Sequence, residues 1–191
     1  MKLLFSVIAI LGITQGTAFS NTRPSYVAID SIQINGSGCS NEYVGWDQWS
    51  NTVQVRTPDY AIQTNPNSRI ERKNCQATID VLKPYGWTYR VASVEVTGWA
   101  QVSGNIEAEV SNYHYIQGES RTDAKSMEIR SWYRDNYKLF NDTKGAWTPC
   151  GIDRVLNVNT AIMLRRTENA YGYGYLKVNP NVRVRLDWKR C

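Results

Sequence analysis

Three tyrosines near the C-terminus of the 191-residue chain stand two positions apart, at Tyr171, Tyr173 and Tyr175. Side chains two positions apart lie on one face of a β-strand, so this spacing predicts a row of phenol rings. An exposed row of rings can stack on sugars and hydrogen-bond to their hydroxyl groups. In the alternative interpretation the tyrosines form a cross-strand ladder that only stiffens the sheet, with each pair contributing ~0.2–1 kcal/mol.

Charged residues follow these tyrosines in the next predicted strand. If residues 179–181 form a hairpin turn, Tyr175 lies opposite Arg185, Tyr173 lies opposite Asp187, and Tyr171 lies opposite Lys189. All three pairs then share the face opposite the apolar one. The predicted ligand-binding surface therefore combines phenol rings with two cations and a carboxylate.

A second polar group follows from the sequence Val-Ser-Gly-Asn-Ile at residues 102–106, which we interpret as another turn between two strands. That turn sets Glu109 opposite Trp99 and Glu107 opposite Gln101, and Trp99 joins the candidate ligand-binding residues. Two carboxylates about 7 Å apart on one strand fall within the range of separations that glycosidases use. Nothing in the sequence raises the pKa of one carboxyl group relative to the other, so we interpret them as solvated surface charges.

The segment Asn-Gly-Ser-Gly-Cys-Ser at residues 35–40 contains two residue types that act as nucleophiles. A nucleophile elbow needs Gly-x-Ser-x-Gly spacing and a histidine partner, and this segment has a different spacing. His114 is the only histidine of the chain, and it alternates with Tyr113 and Tyr115, so we expect it to face away from both rings. We predict no catalytic residue and interpret the glycines as turn residues.

The first twenty residues have the pattern of a secretory signal peptide. Lys2 precedes an apolar run of about a dozen residues, and the small residues Ala18 and Ser20 precede a point where a signal peptidase could cleave. The run is shorter than the ~20 residues that a membrane span needs, and no later segment is long and apolar enough. We therefore predict a signal peptide at residues 1–20, a mature domain at residues 21–191, and an extracellular, periplasmic or cell-surface location.

The mature chain retains four cysteines, an even number typical of a disulfide framework in a secreted protein. Four cysteines allow three pairings. Because each half of the chain contains two of them, we favour Cys39 with Cys75 and Cys150 with Cys191. Each bond would close a loop of roughly 40 residues, worth about 4 kcal/mol in the chain-entropy model. The chain has no Cys-x-x-Cys pair, so we predict no metal site, and no cofactor is predicted.

The charges of the mature chain are scattered along it. Removing Lys2 lowers the formal net charge from +5 to +4, which is too modest to predict nucleic-acid binding. A short basic run at residues 69–74 is interpreted as a solvated loop, with contact to an anion as the alternative. Sequons at Asn35 and Asn141 permit N-glycosylation in a host that carries it out.

Two-residue alternation dominates the chain and predicts β-strands. The clearest strand covers residues 182–188, where even positions are apolar and odd positions are charged. A weak helical pattern occurs around residues 122–132. Further strands are predicted at residues 26–34, 75–82, 94–102, 106–115, 155–164 and 171–178. Strands joined by Gly, Pro and Asn turns predict an all-β fold, a single-domain antiparallel β-sandwich or jelly roll.

Seven short motifs occur in order around the four cysteines: GSGC at residues 36–39, RKNCQ at 72–76, PYGW at 84–87, YHYIQG at 113–118, WTPCG at 147–151, LNVNT at 156–160 and WKRC at 188–191. This series resembles the secreted proteins grouped as domain of unknown function 4360. The resemblance covers the whole mature chain and implies secretion and a β-rich domain. It implies no particular activity.

These observations favour a binding function over catalysis. We expect a carbohydrate-binding or cell-surface interaction domain whose partner is an extracellular glycan or a cell-wall polymer. The alternatives are a polysaccharide hydrolase that uses Glu107 and Glu109, and a structural protein of an envelope or matrix. Binding predicts an exposed aromatic surface, hydrolysis predicts a cleft around buried carboxylates, and a structural role predicts neither.

Overall fold

A computed structural model describes residues 23–40, 42–130, 132–167 and 171–191. The predicted signal peptide at residues 1–20 lies outside the described residues. Within them the chain forms twelve β-strands arranged in two antiparallel sheets. The described residues contain no helix that is long and apolar enough to cross a membrane.

The strands are β1 Ala28–Asn35, β2 Tyr43–Asp47, β3 Thr52–Arg56, β4 Ala61–Gln63, β5 Ile70–Leu82, β6 Trp87–Val102, β7 Ile106–Ile116, β8 Asp123–Ile129, β9 Tyr133–Asp142, β10 Val155–Arg166, β11 Gly174–Val178 and β12 Asn181–Arg190. The A sheet has the order β1-β5-β10-β7-β8. The B sheet has the hydrogen-bonded order β2-β3-β12-β6-β11-β4, with β9 also paired to β6. The predicted β-sandwich is confirmed.

Alternation along the strands separates the core from the surface, because successive side chains point to opposite faces of a sheet. In β12, Val184 and Leu186 are buried, whereas Arg183 and Arg185 are exposed, as the sequence predicted. The inner faces of both sheets contribute to one hydrophobic core that includes Ile79. The outer faces of the two sheets therefore carry the polar and charged residues of the strands.

The weak helical pattern around residues 122–132 does not correspond to a helix, because residues Asp123–Ile129 form strand β8. Strand β8 pairs antiparallel with β7 at the edge of the A sheet, with Met127 opposite Val110 and Ile129 opposite Ala108. Ile129 is buried and Met127 packs against the core. Pairing with β7 and burial of these alternate residues override the weak local preference.

Both predicted disulfide bonds are confirmed. Cys39 is bonded to Cys75 with a Cα–Cα distance of 5.1 Å, and Cys150 is bonded to Cys191 with a Cα–Cα distance of 5.8 Å. The first bond connects the segment after β1 to β5. The second fixes the C-terminus, which follows β12, to the loop before β10.

The segment at residues 36–39 is a turn that needs glycine. Gly36 has a φ of 137°, and a Cβ atom there would lie 2.2 Å from the Asn74 carbonyl oxygen. A Cβ atom on Gly38 would lie 2.2 Å from the Tyr60 ring. The Gly38 N–H donates a hydrogen bond of 2.8 Å to the Asn74 oxygen. These close contacts position Cys39 for its disulfide bond, which agrees with the interpretation of the segment as a turn.

The segment at residues 179–181 does not reverse the chain. Strand β9 pairs with β6 over residues 93–102 and overlaps the β6 positions that β11 and β12 pair with. Because a strand has only two edges, β11 and β12 must follow one another along the other edge of β6. The Asn179 N–H donates to the Thr97 oxygen at 2.7 Å, and the Thr57 N–H donates to the Pro180 oxygen at 2.8 Å. These bonds join the segment to the neighbouring strands.

The predicted hairpin register is therefore wrong. Tyr175 pairs with Gln101 of β6, and Asp187 pairs with Arg90 of the same strand. Neither Tyr175 nor Tyr173 lies opposite a residue of β12. The physical reason is that β6 is long enough to pair with both segments in succession, so no hairpin between them is needed.

The segment at residues 103–105 also does not form a hairpin, because β6 belongs to the B sheet and β7 to the A sheet. The Ser103 N–H donates to the Tyr173 oxygen at 2.9 Å, and the Thr167 N–H donates to the Asn105 oxygen at 2.9 Å. The connection carries the chain from one sheet to the other. The predicted positions of Glu109 opposite Trp99 and of Glu107 opposite Gln101 are wrong for this reason.

Candidate functional site

The outer face of the B sheet holds two of the predicted ligand-binding rings next to each other. The ring centroids of Trp99 and Tyr175 are 5.8 Å apart, with an interplanar angle of 56°. Trp99 lies on β6 opposite Lys177 of β11, and Tyr175 lies opposite Gln101. Trp99 and Tyr175 are both partly exposed, because Leu176 and its neighbours on the inner face fill the core instead.

Tyr171 and Tyr173 precede β11, which begins at Gly174. Tyr171 is 99% exposed and Tyr173 is 39% exposed. The predicted row of three rings on one strand is therefore reduced to one ring within β11 and two on the segment that leads into it. All three tyrosines lie at the surface, in agreement with the predicted facing.

Arg185 and Asp187 lie on the same outer face, at a distance from these rings. Arg185 pairs with Ser93 of β6, six residues before Trp99, which corresponds to about 20 Å along the strand. Asp187 accepts a salt bridge from Arg90 with an N–O distance of 3.0 Å. The structure therefore separates the predicted charged residues from the predicted rings.

The two predicted carboxylates lie on the outer face of the A sheet. Glu107 forms a salt bridge of 2.6 Å with Arg165 of β10. Glu109 lies between Met163 of β10 and Glu128 of β8. Both carboxylates are partly exposed on a paired strand, and the Glu107 carboxylate is neutralised by its arginine.

His114 is buried on the inner side of β7, whereas Tyr113 and Tyr115 are exposed, as predicted. Its Nδ1 lies 3.3 Å from the Asn112 side-chain oxygen, and its Nε2 lies 3.8 Å from an Asp123 carboxylate oxygen. Sequence reasoning did not identify Asp123 as a partner of His114, because the two residues meet only through the pairing of β7 with β8.

A cavity of about 20 Å³ adjoins His114, enough for a single water molecule. Burial lowers the pKa of the His114 imidazole, the Asp123 carboxylate acts in the opposite direction, and the Arg121 charge lowers it further. The described residues that line this cavity include no serine or cysteine. The contact between His114 and Asp123 connects β7 to β8.

The two sequons differ in accessibility. Asn35 is exposed at the end of β1, whereas Asn141 is 8% exposed within β9. The basic run at residues 69–74, interpreted from the sequence as a loop, belongs to β5 from Ile70 onward. Of the two sequon asparagines, only Asn35 presents its amide to solvent in the folded domain.

The outer face of the A sheet carries a polar surface that sequence reasoning missed. It consists of alternate residues from four adjacent strands of the A sheet. We call it the neutral face and define it by Gln33 and Asn35 of β1, Gln76 and Thr78 of β5, Asn157 and Asn159 of β10, and Tyr113 and Tyr115 of β7.

These residues form two rows across the sheet. In one row, Asn157 of β10 pairs with Thr78 on one side and with Tyr115 on the other. In the next row, Asn159 pairs with Gln76 and with Tyr113. Neighbouring strands are about 4.8 Å apart, so each row is a continuous line of side chains about 14 Å long.

The two tyrosines of the neutral face are each 37% exposed and stand about 7 Å apart along β7. The Thr78 hydroxyl donates a hydrogen bond of 2.8 Å to the Asn157 side-chain oxygen. The Asn159 side-chain oxygen is itself buried and has no hydrogen-bond partner among the described residues. The face therefore combines two exposed aromatic rings with amide side chains, of which that of Asn157 is buried and hydrogen-bonded and that of Asn159 is half-buried.

Charged residues border the neutral face at both ends of the strands. Glu107 and Glu109 follow at one end, and Asp80 of β5 at the other. Burial raises the pKa of the Asp80 carboxyl group, and the nearby charges of Asp30 and Asp153 raise it further. The eight residues between these borders carry no formal charge.

Comparison with known proteins adds a relative, a structural neighbour and a family. A protein from Arthroderma benhamiae described as an uncharacterized secreted protein is 27% identical over 183 residues, covering 88% of this chain and 73% of that protein. A solved structure of TmCBM61 in complex with β-1,4-galactotriose covers 81% of this chain and 92% of its own, with 12% sequence identity and a TM-score of 0.33. A TM-score this low supports no argument about function.

The two disulfide bonds fit an extracellular protein, since such bonds persist in oxidising compartments, and the Arthroderma relative is described as secreted. The sequence profile of the domain of unknown function (DUF4360) matches residues 25–191. This chain therefore belongs to the DUF4360 family.

Proposed function

We propose that this protein is an extracellular carbohydrate-binding domain that holds a neutral polysaccharide on its neutral face. The observation that carries the proposal is the composition of that face, in which two exposed tyrosines continue into amide and hydroxyl side chains without a charged residue. The two disulfides, and a relative that is described as secreted, support a function outside the cell.

The chemistry of the face suits a sugar. The flat face of a tyrosine ring can pack against the C–H groups of a pyranose, while its hydroxyl group bonds to water or to the sugar. Asparagine and glutamine each offer both donors and acceptors, which match the adjacent hydroxyl groups of a sugar ring. A charged group would pay a desolvation cost beneath an uncharged ligand, so its absence favours a neutral polymer.

The shape of the face favours binding over cleavage. The tyrosines and amides lie on a paired five-stranded sheet, a broad surface on which an extended polymer can lie. The rival hydrolase needs two available carboxyl groups, and one of its two candidates, Glu107, is neutralised by Arg165. A purely structural protein would not need the aromatic residues on this face to be exposed.

Affinity electrophoresis of the mature domain tests the proposal. Gels containing β-1,3-glucan, xylan, mannan or a soluble cellulose derivative should retard the wild-type protein on at least one polymer. Tyr113→Ala and Tyr115→Ala should each weaken that interaction roughly 5–30-fold, the equivalent of about 1–2 kcal/mol for one stacked ring. Tyr85→Ala is the matched control, because Tyr85 is 97% exposed in the turn between β5 and β6.

The same samples distinguish the rival functions. Release of reducing ends from a retarding polymer, with loss of that release in Glu107→Gln, would replace the proposal with the hydrolase. Retardation that is unchanged in both tyrosine variants would show that another surface binds the sugar. Absence of retardation on every neutral polymer would favour the structural role.

A further inference from the structure

The outer faces of the two sheets carry opposite net charge. On β6, β9, β11 and β12 of the B sheet, the outward positions hold seven cations and three acids, a net charge of +4: Lys177, Arg183, Arg185, Lys189, Arg90, Arg134, Lys138, Glu95, Asp142 and Asp187. On β5, β7, β8 and β10 of the A sheet they hold two cations and four acids, a net charge of −2: Arg72, Arg165, Asp80, Glu107, Glu109 and Glu128.

The positive charges of the B sheet form a line because β11 and β12 follow one another along β6. We define the basic stripe as Lys177, Arg183, Arg185 and Lys189, the outward cations of these two strands. Their β6 partners extend from Trp99 to Thr88, a distance of about 35 Å. A line of this length matches an extended polymer better than a small ion.

Acidic residues on this face leave part of the stripe without a counter-charge. Glu95 contacts Lys138 and also lies 3.8 Å from Arg183. Asp187 is occupied by Arg90. Among the described residues, no carboxylate forms a salt bridge with Lys177 or Arg185, so these two cations are available to an anionic partner.

Aromatic rings lie at both ends of the stripe. Trp99 pairs directly with Lys177 and contacts Tyr175 at one end. At the other end, the Lys189 ammonium group lies 4.4 Å from the centroid of the Trp147 ring. A tryptophan beside a cation can receive a sugar ring on the indole while the cation binds an anionic substituent of that sugar.

We propose that the basic stripe binds an acidic polysaccharide, a chain of sugar rings that carry carboxylate or sulfate groups. The cations supply charge complementarity along the chain, and Trp99 with Tyr175 selects sugar rings over other polyanions. The partner differs from that of the neutral face, and the two surfaces lie on opposite sides of the sandwich. A domain with both surfaces can link a neutral polymer to an acidic one.

Binding to two pairs of polymers tests this inference. Polygalacturonate is compared with its methyl-esterified form, and dextran sulfate with dextran, by biolayer interferometry on the mature domain. Binding to at least one anionic polymer of these pairs, with little binding to its uncharged counterpart, is expected. The pair that responds identifies carboxylate or sulfate as the recognised group. Equal binding to charged and uncharged forms would overturn the inference.

Variants locate the site on the molecule. The double variant Lys177→Gln with Arg185→Gln should weaken binding roughly tenfold, since each exposed charge contributes up to about 1 kcal/mol. Arg72→Gln with Arg165→Gln removes two cations from the opposite face and serves as the matched control. A control that weakens binding as much as the stripe variant would show that net charge alone is responsible, and would overturn the inference.

The role of the rings separates a sugar site from a general anion surface. Trp99→Ala should weaken polysaccharide binding at least about fivefold. This loss of affinity should persist at about 0.3 M NaCl, where screening reduces the contribution of the charges. If Trp99→Ala binds normally and duplex DNA competes as well as the polysaccharide, the stripe is a non-specific polyanion surface. Thermal melting of each variant confirms that the loss does not come from unfolding.

The outcome is independent of the proposed function. Tyr113→Ala and Tyr115→Ala lie on the opposite face and should leave binding to the anionic polymer unchanged. Loss of anionic binding in these variants would assign both ligands to the neutral face and contradict the inference. Failure of the neutral-polymer experiment would leave the result for the stripe intact.

Discussion

The phenol of Tyr60 connects the two sheets, and its removal should destabilise the domain. Tyr60 precedes β4 of the B sheet and is fully buried. Its hydroxyl donates a hydrogen bond of 2.6 Å to the Thr160 oxygen of β10 and lies 3.1 Å from the Lys73 oxygen of β5. Burial raises the pKa of this hydroxyl well above its ordinary value, so it remains a donor.

Tyr60→Phe keeps the ring under Gly38 and removes only the hydroxyl. A buried acceptor that loses its donor costs about 1–3 kcal/mol. For a domain of about 170 residues this corresponds to a decrease in Tm of roughly 2–12 °C. Differential scanning calorimetry measures it, with Tyr85→Phe as the exposed control, for which no change is expected. A Tm for Tyr60→Phe within one degree of wild type would refute the assigned role of this hydrogen bond.

Two further predictions concern the core and the pH dependence of stability. Leu186→Ala should lower the free energy of unfolding by about 2–5 kcal/mol in urea titrations, because Leu186 is buried. Arg185→Ala, on the opposite face of β12, should lower it far less. Equal losses of stability in the two variants would show that the two faces of β12 are assigned the wrong way round. Burial lowers the pKa of His114, so the stability it contributes is complete above about pH 6.5 and decreases as the pH falls through that value. The difference in Tm between pH 7.5 and pH 5 should therefore be smaller in His114→Gln, and an unchanged difference would contradict this assignment.

The facing of individual strands could be predicted from the sequence because alternation is a local property. Val184 and Leu186 had to be buried once their neighbours were charged, and His114 had to face away from Tyr113 and Tyr115. The cysteine pairing could also be predicted, since each half of the chain contains two cysteines. These inferences need no knowledge of which strands are neighbours.

The order of the strands could not be predicted in the same way. A Pro and Asn turn at residues 179–181 looks the same in sequence whether it reverses the chain or joins two successive segments along a longer strand. The length of β6, which extends to Trp87 at its N-terminal end, decides between these outcomes. The predicted contacts of Tyr175 with Arg185 failed for this reason, whereas the contact between Trp99 and Tyr175 follows from the pairing of β6 with β11.

The neutral face was not found from sequence because its residues are distant along the chain. Gln76, Tyr115 and Asn157 come from three strands, and each is unremarkable in its own segment. Only the strand order β5-β10-β7 places them side by side. A signal was present in the repeated uncharged amides of β10 at Asn157 and Asn159, which a two-residue periodicity assigns to one face.

The most direct test of the neutral face is a chemical-shift titration of the ¹⁵N-labelled mature domain with a neutral oligosaccharide taken from the polymer that retards it in electrophoresis. Shift changes are predicted in the β5-β10-β7 part of the A sheet, centred on Tyr113, Tyr115 and Asn159, and they should be absent in Tyr113→Ala with Tyr115→Ala. Saturable changes confined to the surface of Trp99 and Tyr175, or anywhere outside the A sheet, would contradict the proposed function.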